Sequence, residues 1–195
     1  MKKAKIVEKI RSVQSEKRFE HTMGVSYIAC ALAMRYDEDP EKAYLAGLLH
    51  DSAKHLKDEK LLAIAEKYHL PVSESERREP YLLHGKVGAL IAKKTFGIED
   101  KDILNAITYH TTGRPGMSKL EKIIFIADYI EPNRDKAENL PKIRKMAFED
   151  LDLTLLKISE DTLSYLRSRK DRIDPMTEKT YEYYLKECVF NGGND

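Results

Sequence analysis

Residues 45–56 read LAGLLHDSAKHL. The apolar positions have the spacing of a helix interior, yet His50 and Asp51 stand side by side among them and Lys54 follows three residues later. Burying an unpaired charge is costly, so this pair demands partners from elsewhere in the chain. Helical periodicity extends outward from it in both directions. Upstream, Pro40 is a favoured first-turn residue preceded by Asp39, and starts the third helix, which is expected to run through the quoted stretch. Ile6, Val7, Ile10 and Val13 mark a short first helix, and a second runs from about 18 to 35. Downstream, Asp58 can cap a fourth helix, KLLAIAEKYHL, which stops before Pro71. The polar stretch VSESERREP reads as a loop. A fifth helix follows Pro80, carries YLLHGKVGALIAKKTF and ends at Gly97. A sixth covers about 100–110, TTGRPGMS is a break, and a seventh, KLEKIIFIADYI, ends before Pro132. Two or three more fill 140–188, with Pro141 and Pro175 near their starts. No strand pattern, internal repeat or low-complexity segment competes. The expectation is an all-α chain, a single compact helical bundle with about nine or ten helices. One domain spans 1–195, with a core over about 18–132 and a less essential C-terminal helical flank over about 140–190.

The composition excludes several functions. Lys plus Arg (34) nearly cancels Asp plus Glu (33), so no basic field points to nucleic acid. Cys30 and Cys188 lie far apart and outside any CxxC, which argues against a disulfide framework and for a reducing, cytoplasmic compartment. The N-terminus opens with basic residues but never reaches a signal peptide's apolar core. The longest uncharged run, 21–34, is too short to span a bilayer, so no membrane association is expected.

The polar residues inside the helices carry the chemistry. His21 shares a face with Val25, Ile28 and Leu32; His110 lines up with Ile103 and Ile107; Asp128 lines up with Leu120 and Ile124. His84 follows Leu82 and Leu83. Any one of these alone is more often a hydrogen-bonded core residue. Together, His21, His50, Asp51, His84, His110 and Asp128 would make a core with many inward acids and imidazoles and few bases to match. A metal centre resolves this, because divalent cations take neutral imidazoles and carboxylates, and helices mount them rigidly. Adjacent helical residues diverge by about 100°, so His50 can bind one metal while the Asp51 carboxylate bridges two. Lys54 falls on the His50 face by α-helical spacing. A cation beside metal ligands makes sense if an anionic substrate lies between them.

The order His21, His50-Asp51, Asp128 resembles the HD-domain phosphohydrolase superfamily, with LLHDSAK similar to its second-motif helix and IADYIEP to its final-aspartate helix. PYLLHGKVGALIAKKTFGIED and AITYHTTGRPGMSKLEKIIFIADYIEPNR, with the spacing between them, resemble one subfamily, the YqeK family of bacterial HD hydrolases. The resemblance runs from about 6 to 184 and is weakest after about 155.

It implies an HD-domain bundle that cleaves diadenosine tetraphosphate symmetrically to two ADP at a two-metal, iron-type centre. It implies His21, His50, Asp51 and Asp128 as ligands of one metal, and His84 and His110 as ligands of the second, with Asp51 bridging. Lys54 resembles a phosphate-facing lysine, and Thr111, Gly113 and Arg134 fall in motifs similar to substrate-facing loops. Mixed imidazole and carboxylate ligation suits iron, manganese, cobalt or nickel. Two such ions can hold a bridging hydroxide that attacks phosphorus, with Lys54 and Arg134 neutralising the phosphoryl oxygens. The expected partner is a small-molecule dinucleoside polyphosphate.

Alternatives remain open at this level. Another HD phosphohydrolase could act on a nucleoside monophosphate, (p)ppGpp or a cyclic dinucleotide; a di-iron protein could use oxygen; a metal-binding module could be non-catalytic. Arg134 also reads as a solvated helix-end residue, and Thr111 as a helix terminator. Tyr81, Tyr109 and Tyr129 are candidates for lining the adenine pocket or for core. His55 and His69 read as structural or surface residues. Tyr181, Tyr184 and Leu185 form an apolar stripe that is either core or a homodimer seam.

Overall fold

The computed structural model describes residues 3–135, 137, 139–169 and 172–191. Eleven α-helices account for the fold among them: α1 Lys3–Val13, α2 Glu16–Arg35, α3 Pro40–Leu49, α4 Asp58–Lys67, α5 Glu74–Arg78, α6 His84–Phe96, α7 Lys101–Tyr109, α8 Lys119–Ile130, α9 Leu140–Met146, α10 Leu151–Ser168 and α11 Pro175–Asn191. No strand occurs among the described residues. The all-α reading therefore stands, with one helix more than the upper expectation. That helix is α5, inside the stretch read as a loop. Ser73 accepts the N–H of Glu76, and the Glu76 carboxylate accepts the N–H of Ser73 at 2.7 Å. This reciprocal capping satisfies two end donors and closes a single helical turn that apolar periodicity does not reveal.

The third helix is shorter than expected. It ends at Leu49, and the chain continues through turns with i to i+3 bonds from Ser52 to Leu49, Lys54 to Asp51 and Leu56 to Ala53. This tighter winding places side chains differently from an α-helix. Asp58 is also not the cap of α4: Lys57 holds that position, with no side-chain capping bond, and Asp58 is the first helical residue. Its carboxylate still complements the positive end of the helix. The fifth segment opens with a 3-10 turn at Pro80–Leu83 before α6, which Gly97 terminates in the left-handed region at φ 73°.

The centre of the bundle is α8, which has eight of its twelve residues buried. A helix apolar on nearly all sides must be surrounded, and α8 packs against α2, α3, α7, α9 and α10. Two glycines let neighbouring helices approach closely. A Cβ on Gly47 would lie 2.9 Å from the Ser26 Cα, and one on Gly85 would lie 2.5 Å from the Thr108 carbonyl oxygen. The first draws α3 onto α2 and the second draws α6 onto α7.

The C-terminal flank is less peripheral than the sequence reading held. Tyr184 is buried in the main core, and its hydroxyl accepts the Met117 N–H at 3.0 Å. Of the supposed seam, Tyr184 is therefore core, while Leu185 stays exposed on the outer face of α11. No helix among the described residues is long and apolar enough to cross a membrane.

Candidate metal centre

The six residues singled out in the sequence meet at one place. His21 comes from the first half of α2, His50 caps the C-terminus of α3, and Asp51 follows it. His84 opens α6, His110 caps α7, and Asp128 sits in the last turn of α8. His50, Asp51, His84 and His110 are buried, and His21 and Asp128 are half-buried.

Asp51 presents its two carboxylate oxygens to different partners. Oδ1 lies 3.5 Å from Nε2 of both His84 and His110. Oδ2 lies 3.6 Å from Nε2 of His50 and 3.9 Å from Nε2 of His21. Asp128 adds Oδ1 at 3.2 Å from the same His21 nitrogen. Three groupings bring their ligand atoms within 4.8 Å of one another: His21, His50 and Asp51; His50, His110 and Asp128; Asp51, His84 and His110.

Backbone carbonyls set the tautomers of three imidazoles. His50, His84 and His110 place Nδ1 at 2.6, 2.6 and 2.7 Å from the carbonyls of Gly47, Tyr81 and Ile107. A carbonyl only accepts, so Nδ1 carries the proton and the Nε2 lone pair is left facing the cluster. The consequence is a concentration of acceptors. Nε2 of His84 and Nε2 of His110 face each other at 3.1 Å, and the buried Nε2 atoms of His50 and His21 have no aligned hydrogen-bond partner. A divalent cation satisfies this donor set, because it is what several converging lone pairs and carboxylate oxygens require.

Electrostatics favours the neutral ring at His50 and His84 and the ionised carboxylate at Asp51 and Asp128. Burial holds the His50 pKa down to about 4 despite the nearby Asp51 and Asp128 charges. Burial, with His110 and Lys54 beside it, holds His84 down to about 3. Burial opposes the charge on Asp51, but His50 and His110 outweigh it and keep the carboxyl well below the ordinary range. Asp128 is also held low: burial resists its charge, and the close approach of the His21 ring together with Arg134 prevails. His21 moves the other way, because its contacts with Asp128 and Glu131 outweigh the desolvation that favours the neutral ring.

The remaining predicted residues fall in three situations. Lys54 and Thr111 join the cluster: Lys54 Nζ lies 3.1 Å from His84 Nε2, and Thr111 Oγ1 lies 3.2 and 3.1 Å from Nε2 of His84 and His110. Lys54 thus meets His84, from a stretch where the chain has left α-helical winding after Leu49. Burial lowers the Lys54 pKa against the pull of Asp51 and Asp128. Arg134 stands beside Asp128, donating to its Oδ1 at 3.1 Å and its backbone carbonyl at 3.0 Å. Gly113 adopts φ 64° and packs against α11, where an added Cβ would meet Thr180 Cγ2 at 2.6 Å. Of the tyrosines, Tyr81 is exposed and its ring lies 5.9 Å from the Lys54 ammonium. Tyr109 lies under Arg114 and Tyr129 under Arg134. His55 and His69 are exposed.

Two residues escape the sequence reading. Glu131 is buried, and its Oε1 lies 3.2 Å from His21 Nδ1 while its Oε2 accepts the Asn133 N–H. Arg18 Nη1 donates to Asp51 Oδ2 at 2.7 Å. Both left a signal, since each lies three residues from a predicted ligand, Arg18 before His21 and Glu131 after Asp128. A cleft of about 460 Å³ lined by Met117, Lys122, Asp152 and Tyr184 lies apart from the cluster.

A family model described as HD domain matches residues 18–133. The chain is similar to the symmetrical bis(5'-nucleosyl)-tetraphosphatase of Bacillus subtilis, 38% identical over 90% of this chain and 94% of that one. The protein of the same name from Halalkalibacterium halodurans is 40% identical over 96% of this chain and 99% of that one. A solved structure from Clostridium acetobutylicum, described as a predicted HD superfamily hydrolase involved in NAD metabolism, matches with a TM-score of 0.93. It is 42% identical and covers 96% of this chain and 98% of its own.

Proposed function

The chain belongs to the HD-domain family and, within it, to the YqeK family, and on that premise we propose that it is a metal-dependent hydrolase cleaving diadenosine tetraphosphate symmetrically to two ADP. The observation that carries the reading is the divided reach of Asp51, one oxygen toward His84 and His110 and the other toward His50 and His21. A carboxylate placed in this way suits a pair of ions, and the relatives of this length are named for the tetraphosphate reaction.

His21, His50, Asp51 and Asp128 would hold one divalent ion, and His84 and His110 the second, with Asp51 shared. Iron is the favoured metal, with manganese, cobalt or nickel fitting the same donors. Such ions supply Lewis acidity toward phosphoryl oxygens and make a hydroxide nucleophile available near neutral pH. The chain's own groups do the rest. The Lys54 ammonium, drawn up against His84, donates to a phosphoryl oxygen and offsets the charge that builds as phosphorus is attacked. Arg134 adds a guanidinium beside Asp128, and the Thr111 hydroxyl donates from the His84 and His110 side. Gly113 shapes the loop that carries Thr111. Burial of the cluster strengthens each of these interactions by excluding water. ADP is a stable leaving group, so no dedicated general acid is required. Symmetrical cleavage needs one ADP half gripped so that a central phosphate lies at the cluster.

The working compartment is read as the cytoplasm, in keeping with the free thiols Cys30 and Cys188. Leu185 and Val189, one turn apart on the exposed face of α11, are where a second copy would dock.

The test is a product assay with ferrous or manganous ion, resolved by anion exchange, with NAD as a parallel substrate. ADP alone from diadenosine tetraphosphate supports the reading. ATP with AMP would mean off-centre binding, and no product with any metal would sink it.

A further inference from the structure

Arg18 and His21 lie one turn apart on α2 and share a face. Arg18 Nη1 donates at 2.7 Å to Asp51 Oδ2, the oxygen turned toward His21 and His50. Arg134 makes the matching contact with Asp128 Oδ1 at 3.1 Å. Each carboxylate of the cluster therefore carries one guanidinium. Both arginine side chains keep an open flank, with 40% and 42% of their surface exposed, while Asp51 beneath is only 4% exposed. Lys54 borders the same cluster from the His84 side, with its Nζ 3.1 Å from the His84 Nε2. Three cations thus border one cluster.

This arrangement exceeds what one phosphate needs. A single phosphoryl group is matched by the cluster with Lys54 and Arg134. A third cation, Arg18 on α2, suits a second phosphate. A guanidinium has five N–H donors in a planar fork, and its contact with Asp51 uses one of its terminal nitrogens. An oxygen shared with a divalent cation is also a weaker acceptor, which leaves the fork available to an anion.

We propose that Arg18 is a substrate-binding residue that holds a phosphate next to the one under attack, so that the site selects a polyphosphate chain over a lone phosphate. This assignment rests on the hydrolase reading above. The competing role is structural, in which Arg18 only orients Asp51.

The experiment is equilibrium dialysis of manganese-loaded protein with ADP and, separately, with AMP, for the wild type, Arg18→Gln and Arg18→Lys. Metal per chain is measured on the same samples. Loss of a charge-assisted hydrogen bond predicts that Arg18→Gln weakens ADP about tenfold or more, weakens AMP much less, and keeps the wild-type metal content. Arg18→Lys restores part of the ADP affinity, as a point charge without the fork. Unchanged ADP affinity, equal losses for ADP and AMP, or a loss that tracks missing metal would overturn the assignment. Hydrolysis by the wild type is scored separately. Absence of turnover there sinks the hydrolase reading, whereas the ADP to AMP comparison decides Arg18 by itself.

Discussion

Glu131 Oε1 lies 3.2 Å from His21 Nδ1, on the opposite side of the ring from the Nε2 that meets Asp128 at 3.2 Å. The imidazole is held between two carboxylates contributed by the end of one helix. A carboxylate behind a ligand imidazole fixes its tautomer and raises its basicity, and losing one typically weakens metal binding about 10–100-fold. Glu131→Gln keeps the shape and removes the charge. It is expected to lower metal affinity within that range, read as metal retained per chain against a graded chelator. Full retention would confine Glu131 to closing the end of α8.

Asp51 and His84 separate the two halves of the cluster. Asp51→Ala is expected to remove both metals, because one carboxylate faces both sets of imidazoles. His84→Ala is expected to spare the metal near His21 and remove the one near His110. Elemental analysis of each purified variant decides. A variant of Asp51 that kept two metals would rule out the shared carboxylate, and equal losses in the His84 variant would mean that the sites are not separable.

Lys54 stands beside the proposed ligand His84, with Nζ 3.1 Å from its Nε2. Its replacement by Ala should leave the metal content intact and depress turnover by about two to three orders of magnitude, the usual scale for a donor aimed at developing charge. Metal loss in Lys54→Ala would instead make the ammonium a structural partner of His84.

Tyr184 ties the last helix to the loop after His110. Tyr184→Phe strands the buried Met117 N–H, at a cost of about 1–3 kcal/mol. Each kcal/mol corresponds to roughly 2–4 °C in Tm for a domain of this size. Thermal unfolding followed by circular dichroism should therefore show a clear drop. An unchanged Tm would return the C-terminal flank to the lesser role that the sequence reading assigned it.

How much of this was legible in sequence depends on how local each feature is. A period of 3.6 residues is a property of a short segment, so the helices and the inward faces bearing His21, His110 and Asp128 could be read directly. Helix ends were less legible. The α5 turn is made by two reciprocal hydrogen bonds around Ser73 and not by an apolar stripe. The end of α3 at Leu49 has no glycine or proline to announce it.

The sequence by itself determined the helical class, the set of six inward polar residues and the family resemblance, because spacing and residue type are carried along the chain. Tertiary structure alone decided which groups meet: Glu131 with His21, Arg18 with Asp51, Lys54 with His84, and α11 against the loop after His110. Those partners lie between 30 and 110 residues apart. Their meeting depends on how closely helices cross, which Gly47 and Gly85 permit through backbone contact that no periodicity records.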